Sequence, residues 1–304
     1  MSARRLSLVK QNALGHSNML VSEIGFGCMS LPPDDDISAG LLHRALDAGV
    51  TFFDTADFYQ QGANETMVGH AFSGMRDRVV IASKVGNRWN SDRITWRWDP
   101  SPQWIAQAIR LTLHRLQMDH LDLYQLHGGT LDDPIDDIIA AFEQLKQEGL
   151  IRHYGISSIR PNVIREWVSR SQITSVMMQY SLLDRRPEEA TFELLQRHNV
   201  GVIARGPLAR GLLASKPAAP YLDVGQADVT TVQRGLDQFT TATRTRAQVA
   251  LRFALAHPAV ATTIPGASTD EQLYENLSAS EPLDDDDIDV LRRLTTPGRY
   301  DSHR

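Results

Sequence analysis

Four polar side chains stand where short β-rich runs end. Asp54 follows Thr51-Phe52-Phe53, Tyr59 comes five residues later, Lys84 closes Ile81-Ala82-Ser83, and His127 closes Tyr124-Gln125-Leu126. A lysine at a buried strand end needs a counterion, which Asp54 can supply. A phenol beside an ammonium gives up its proton more readily than the ordinary pKa of about 10 implies, because the cation favours phenolate. A histidine can hydrogen-bond a substrate oxygen and orient it. Together these groups suit carbonyl reduction, where a developing alkoxide must be protonated as hydride arrives. Neither a serine or cysteine nucleophile with a paired base nor a second carboxylate for glycoside hydrolysis accompanies them. Taken singly, each residue has a plainer reading. Asp54 and Lys84 make an ordinary buried ion pair, Tyr59 a loop aromatic and His127 a satisfied core histidine. Their occurrence at consecutive strand ends favours a site.

The elements that position them alternate along the chain. Strand-like runs are Glu23–Phe26, Thr51–Asp54, Arg78–Ala82 continuing to Lys84, Leu121–Leu126, Ile151–Ile156, Ser175–Gln179, Val200–Ala204 and Val260–Ile264. Between them, apolar residues recur at helical spacing, as in Trp104–Leu116 and Pro134–Leu145. Ser101-Pro102 reads as an N-cap with proline in the first turn, Asp133-Pro134 as the same device, and Gly149 as a helix stop. The acidic run Asp284–Asp287 reads as a helix start favoured by the dipole. Eight strands alternating with helices allow a closed barrel or a doubly wound sheet. Glu23–Ser30 contains glycines without the G-x-G-x-x-G spacing, so a (β/α)8 barrel is expected, with residues 1–304 as one domain. The turn Gly15-His16-Ser17-Asn18 predicts a β-hairpin ahead of the barrel, Ser215–Gln238 reads as an insertion after the seventh strand, and extra helices are expected near the C-terminus.

With 42% hydrophobic and 22% charged residues, the 304-residue chain is globular in composition. A net charge of -6 argues against nucleic acid and anionic membranes, which bind clustered cations. Cys28 is the only cysteine, which excludes an intrachain disulfide and a cysteine zinc site and fits a reducing cytoplasm. Met1–Gln11 shows no apolar segment after Arg4 and Arg5, and no run approaches the roughly 18 apolar residues of a membrane span. A soluble cytoplasmic protein with a small-molecule partner is expected.

Phe53-Asp54-Thr55-Ala56-Asp57-Phe58-Tyr59, followed by Gly62-Ala63-Asn64-Glu65 and Gly69, resembles the signature of the aldo-keto reductases. Asp122–His127, Ile151–Ser158, Val202–Leu213 and Ile264–Ala267 resemble the fourth, fifth, seventh and eighth strand regions of that family. The likeness runs from about Gly25 to Leu294, and lies with bacterial members of the branch that also contains potassium-channel β subunits.

The resemblance implies Tyr59 as general acid, Lys84 and Asp54 as its tuning pair, and His127 as carbonyl orienter. It implies NADPH as cofactor, with Ser157, Ser158 and Gln179 on the nicotinamide carboxamide. Gly206, Pro207, Leu208, Arg210, Gly211 and Leu212 would clasp the pyrophosphate, and Gly266, Ser268, Gln272, Glu275 and Asn276 the adenosine end. Gly27, Cys28, Met29, Asp54 and Arg205 join the cofactor contacts, Cys28 as a small packing residue. Glycine-containing loops and helix starts offer phosphate their backbone N–H groups. Ser158 stands where asparagine is commoner. Arg205 stands where many members stack an aromatic residue on nicotinamide; its guanidinium could stack or bind phosphate. Gln272 replaces an arginine that commonly meets the 2′-phosphate, which leaves NADH as an alternative. Met29, Phe58 and Trp89 are candidates for the substrate wall, with Trp96 and Trp98 either joining it or anchoring their loop. A nucleotide-binding regulatory subunit with little turnover is the competing reading.

Overall fold

The computed structural model describes residues 9–304. A hairpin, β1 (Gln11–Ala13) and β2 (Leu20–Ser22), comes first. Eight parallel strands follow: β3 (Phe26–Gly27), β4 (Phe52–Asp54), β5 (Val80–Val85), β8 (Leu121–Leu126), β9 (Ile151–Ser157), β10 (Ser175–Gln179), β11 (Gly201–Arg205) and β12 (Val260–Ile264). Between β5 and β8, β6 (Asn87–Trp89) and β7 (Trp96–Trp98) form an antiparallel ribbon. The helices are α1 (Asp35–Asp47), α2 (Ala63–Ala71), α3 (Pro102–Leu116), α4 (Ile135–Gln147), α5 (Pro161–Arg170), α6 (Thr191–Arg197), α7 (Gln226–Asp237), α8 (Arg246–Ala256), α9 (Asp270–Leu277) and α10 (Asp285–Arg293). None is long and apolar enough to cross a membrane.

The eight strands pair in ring order from β3 to β12. Gly25 N–H donates to the Thr263 carbonyl and Thr263 N–H to the Glu23 carbonyl, at 2.8 and 2.9 Å, which closes the (β/α)8 barrel. The expected first strand Glu23–Phe26 divides its pairing, with residues 23–25 bonded to β12 across this seam and the regular ladder with β4 running over Phe26–Gly27.

Side chains alternate across a strand, so every second residue enters the barrel. Phe52, Ala82, Leu123, Met177 and Ile203 pack with Leu14, Met19 and Val21 of the hairpin into an apolar floor. Two residues further along the same strands stand Asp54, Lys84, Gln125, Gln179 and Arg205. The intervening residues, such as Phe53, Ile81, Tyr124, Val176 and Val202, face the helices and join the outer core. One alternation thus builds both the packing layers and the polar mouth.

Ser101 caps α3 as expected, its hydroxyl accepting from Trp104 N–H, and Asp284 caps α10 likewise. Asp133 does not repeat the device. Its carboxylate accepts from Trp98 Nε1 and Thr130 N–H, at 2.9 and 2.6 Å, and α4 starts after Pro134 without a side-chain cap. The glutamate-side stop of α4 carries Gly149 at φ 75°, the left-handed conformation glycine tolerates. The insertion after β11 is not open loop throughout, since it holds α7.

Candidate active site

Asp54, Lys84, Tyr59 and His127 meet above the apolar floor. Lys84 Nζ donates to Asp54 Oδ2 at 2.6 Å, to the Thr55 carbonyl at 2.7 Å and to Tyr59 Oη at 3.1 Å. All three protons of the ammonium are thus engaged. Burial alone would pull the lysine pKa down, but the attraction of Asp54 and Tyr59, with their hydrogen bonds, carries it above the ordinary value. The charge therefore persists in a side chain that is 1% exposed. Gln125, inward on β8, donates to the other Asp54 oxygen at 3.3 Å and fixes the carboxylate from the far side.

His127 stands edge-on to Tyr59, with ring centroids 6.0 Å apart. Burial, then the charges of Lys84 and Arg205, lowers its pKa to about 3. It is a neutral imidazole across the physiological range, and its buried Nδ1 has no partner among the described residues. A neutral imidazole can donate one hydrogen bond to an incoming oxygen without competing for the proton.

The loop carrying Tyr59 is locally strained. Gln60 and Gln61 have φ of 48° and 56°, and Gly62 has 91°. Hydrogen bonds hold this shape. Trp89 Nε1 donates to the Phe58 carbonyl, Gln60 to the Leu31 carbonyl and Gln61 to the Arg93 carbonyl. Beneath it, Thr55 donates to Asn64 Oδ1, Asn64 donates to the Cys28 carbonyl, and buried Glu65 accepts from Ser83 and Arg115. Such over-determination is what lets a strained turn persist.

The remaining expected residues ring the same mouth. Phe58 stacks on Trp89, centroids 4.6 Å apart at 5°, and Trp96 meets Phe58 edge-on at 5.6 Å. Met29 and Trp96 are exposed, whereas Trp98 packs beneath Gly86 and Gly128 as an anchor of its loop. Cys28 is buried, and burial followed by the Asp54 charge pushes its thiol well up, so it packs as a small apolar group. Gln179 and Arg205 are register partners at the ends of β10 and β11, and Arg205 Nη1 donates to Gln179 Oε1 at 3.0 Å. Gln179 Nε2 donates in turn to Asp184 and to Tyr221 Oη, a contact from the insertion that sequence reasoning did not single out. Ser157 and Ser158 are buried at the end of β9, where the Ser158 hydroxyl accepts from Arg160 N–H.

A nicotinamide nucleotide fits the donors and clearances of this rim. Gly206, Arg210 and Gly211 have positive φ in the turn after β11, with Pro207, Leu208 and Leu212 beside them, and the turn is held by Gly211 N–H on the Leu208 carbonyl and Leu212 N–H on the Ala209 carbonyl. Gly27 N–H donates to the Pro265 carbonyl, and a Cβ on Gly266 would lie 2.2 Å from Ser30 Oγ. Only glycine allows these two loops their approach. Beyond it, Gln272 accepts from the Ser268 N–H and hydroxyl at the start of α9, Asn276 donates to the Gly266 carbonyl, and the Glu275 carbonyl accepts from Gln248. Arg44 of α1 reaches Asp270 at 2.7 Å, bringing a cation to a helix start whose own segment has none.

A cleft of about 230 Å³ is lined by Asp57, Gln61, Asn87, Trp89, Trp104 and Arg115 among others, and shares Trp89 with the aromatic stack on Phe58. None of the four central side chains lines it. Burial, then the nearby Glu65 charge, pushes the Asp57 carboxyl well above the usual range.

Known proteins carry the same architecture. A family model described as the aldo/keto reductase family matches residues 23–295. An uncharacterized oxidoreductase, YqkF, of Bacillus subtilis is 45% identical over 312 residues, covering 97% of this chain and 100% of the relative. Aldo-keto reductase yakc [NADP(+)] of Schizosaccharomyces pombe is 32% identical over 213 residues, 67% of this chain and 63% of the relative. Aldo-keto reductase AKR11C1 from Bacillus halodurans superposes in its holo form with a TM-score of 0.93 at 46% identity, covering 97% of this chain and 99% of that one. Its apo form gives 0.85 at 44% identity with the same coverage.

Proposed function

The chain belongs to the aldo/keto reductase family, and from that premise we propose that it reduces aldehydes or ketones to alcohols with NADPH, using Tyr59 as proton donor. The observation that carries this reading is the bridge of Lys84 between Asp54 and Tyr59, with neutral His127 beside the phenol. Bound at the rim, the reduced nicotinamide supplies the hydride.

The chain's own groups do the rest. His127 donates a hydrogen bond to the carbonyl oxygen and sets it beside Tyr59. As negative charge develops there, Tyr59 gives up its proton, and the Lys84 ammonium, 3.1 Å from Oη, stabilises the phenolate left behind. Asp54 keeps that ammonium charged and in place. Phe58, Trp89 and Trp96 pack together, and with exposed Met29 they are the proposed apolar wall, which suits a hydrophobic carbonyl compound. Cofactor residues are proposed as the resemblance gives them: Ser157, Ser158 and Gln179 on the carboxamide, Gly206–Leu212 on the pyrophosphate, Gly266–Asn276 on the adenosine. The superposition on a holo relative and the NADP(+) in another relative's name support a nicotinamide nucleotide as the cofactor.

The test compares wild type with Tyr59→Phe on a panel of aldehydes, with NADPH and NADH offered separately. A fall of about 10²- to 10⁴-fold in turnover, with nucleotide binding kept, is expected. Equal activity in the two proteins would remove Tyr59 from the chemistry. Tight nucleotide binding without turnover in either would turn the reading to a regulatory subunit.

A further inference from the structure

Arg205 is a part-buried arginine of the mouth with no carboxylate in direct contact among the described residues. Lys84 has Asp54, Arg186 grips Asp184 at 2.7 Å, and Arg185 grips Glu188 at 2.7 Å. Arg205 has only the neutral amide of Gln179, at 3.0 Å, and among the described residues it forms no ion pair. The Asp184 carboxylate lies close by, but Arg186 and Gln179 already occupy it. A guanidinium in a polar cavity without a direct carboxylate partner presents its charge to whatever enters that cavity.

Geometry says which part of the ligand that is. Arg205 is inward on β11, two residues above the floor residue Ile203, and is tethered sideways to Gln179 on β10. The tether holds the guanidinium beside the Gln179 amide at the end of the inward row of β11. Its field also reaches the centre, where it contributes to holding His127 neutral. On the functional reading above, on which this inference rests, Gln179 and the Tyr59 centre bound the space for nicotinamide. That ring carries a positive charge when oxidised and none when reduced.

We propose that Arg205 is a specificity-determining residue for cofactor redox state, its charge disfavouring the oxidised nicotinamide nucleotide relative to the reduced one. The consequence is direct: the spent cofactor is held more weakly than the fresh one, so it leaves readily, and alcohol oxidation is handicapped relative to carbonyl reduction. A stacking aromatic residue at this position would give contact area without this discrimination.

The test is equilibrium binding of NADPH and NADP⁺, each titrated separately into wild type, Arg205→Met and Arg205→Lys, without substrate. Arg205→Met should lower the ratio of the oxidised to the reduced dissociation constant about tenfold, a charge effect expected for a partly screened cation at close range. That is a drop of about 30 mV in the two-electron potential of the bound couple. Arg205→Lys keeps the charge but loses the planar fork, and should keep the ratio within about threefold of wild type. The Asp184 and Tyr221 contacts hold the Gln179 amide in all three proteins. Equal weakening of both forms in Arg205→Met would overturn the proposal, as a phosphate contact or plain stacking does that. A lysine variant behaving like the methionine one would overturn it too, by tracing the effect to shape. If wild type binds neither form, the nucleotide reading falls and this inference falls with it. If both bind and the ratio ignores Arg205, only the inference falls.

Discussion

Lys84 keeps an ammonium inside the barrel because every proton on it is matched, and Asp54 matches the charge. Removing one partner is therefore far worse than removing both. Lys84→Met leaves Asp54 buried and unpaired and should cost about 3–5 kcal/mol, read from the urea midpoint. Adding Asp54→Leu should recover most of that stability while turnover stays lost. A double variant as unstable as the single one would deny the pair its structural role. His127 makes a second claim that pH can check. Its folded pKa of about 3 lies below the ordinary 6.5, so between those values the unfolded chain binds a proton that the folded chain refuses. The stability it contributes is full above 6.5 and fades as pH falls towards 3. Melting temperatures across that window should fall on acidification, and His127→Gln should flatten the slope. Among the site residues, the sequence showed the central four but passed over Gln125. Its signal was present, since it stands between Leu123 and His127 in the inward period of two. Tyr221 and Arg44 carried no such signal, because their places depend on how an insertion and a distant helix fold back.

Elements divide the labour between the two ends of the barrel. The hairpin β1–β2 plugs the floor with Leu14, Met19 and Val21, while the loops after the strands carry the chemistry at the other end. Leu14→Ala should therefore cost about 2–5 kcal/mol in unfolding and leave the turnover of folded molecules unchanged. Loss of turnover in step with stability would show that the floor and the mouth are coupled. The hairpin and the eight strands were legible because alternation and turn residues act over a few positions. The ribbon β6–β7 was not. It is pinned by Trp98 on Asp133, by the Arg88–Asp99 pair and by Arg88 over the Trp104 ring, contacts between segments that no local pattern announces. The Asp133 misreading has the same origin, since a tryptophan from that ribbon takes the oxygen a helix cap would use.

At the scale of the whole molecule, the barrel exists only if its two outer strands find each other across the chain. The seam is short in backbone bonds, and side chains reinforce it. Asn12 donates to the Ala261 carbonyl and Thr262 to the Ser22 carbonyl, at 2.9 and 2.8 Å. Glu23 pairs with Arg252 of α8 at 2.7 Å, with both side chains largely buried, and Arg252 also donates to the Ala279 carbonyl. The partners in that pair are 229 residues apart in sequence. Glu23→Gln keeps the shape and a hydrogen bond but strands the guanidinium, so a loss of about 3 kcal/mol is expected, with Glu23→Leu plus Arg252→Met recovering most of it. The loss should also be local before it is global. Hydrogen exchange at the Gly25 and Thr263 amides, which make the seam, should quicken in Glu23→Gln, while the amides between β8 and β9 stay protected. Uniform quickening around the ring would mean that the barrel opens all at once and that the seam is no weaker than any other strand pair.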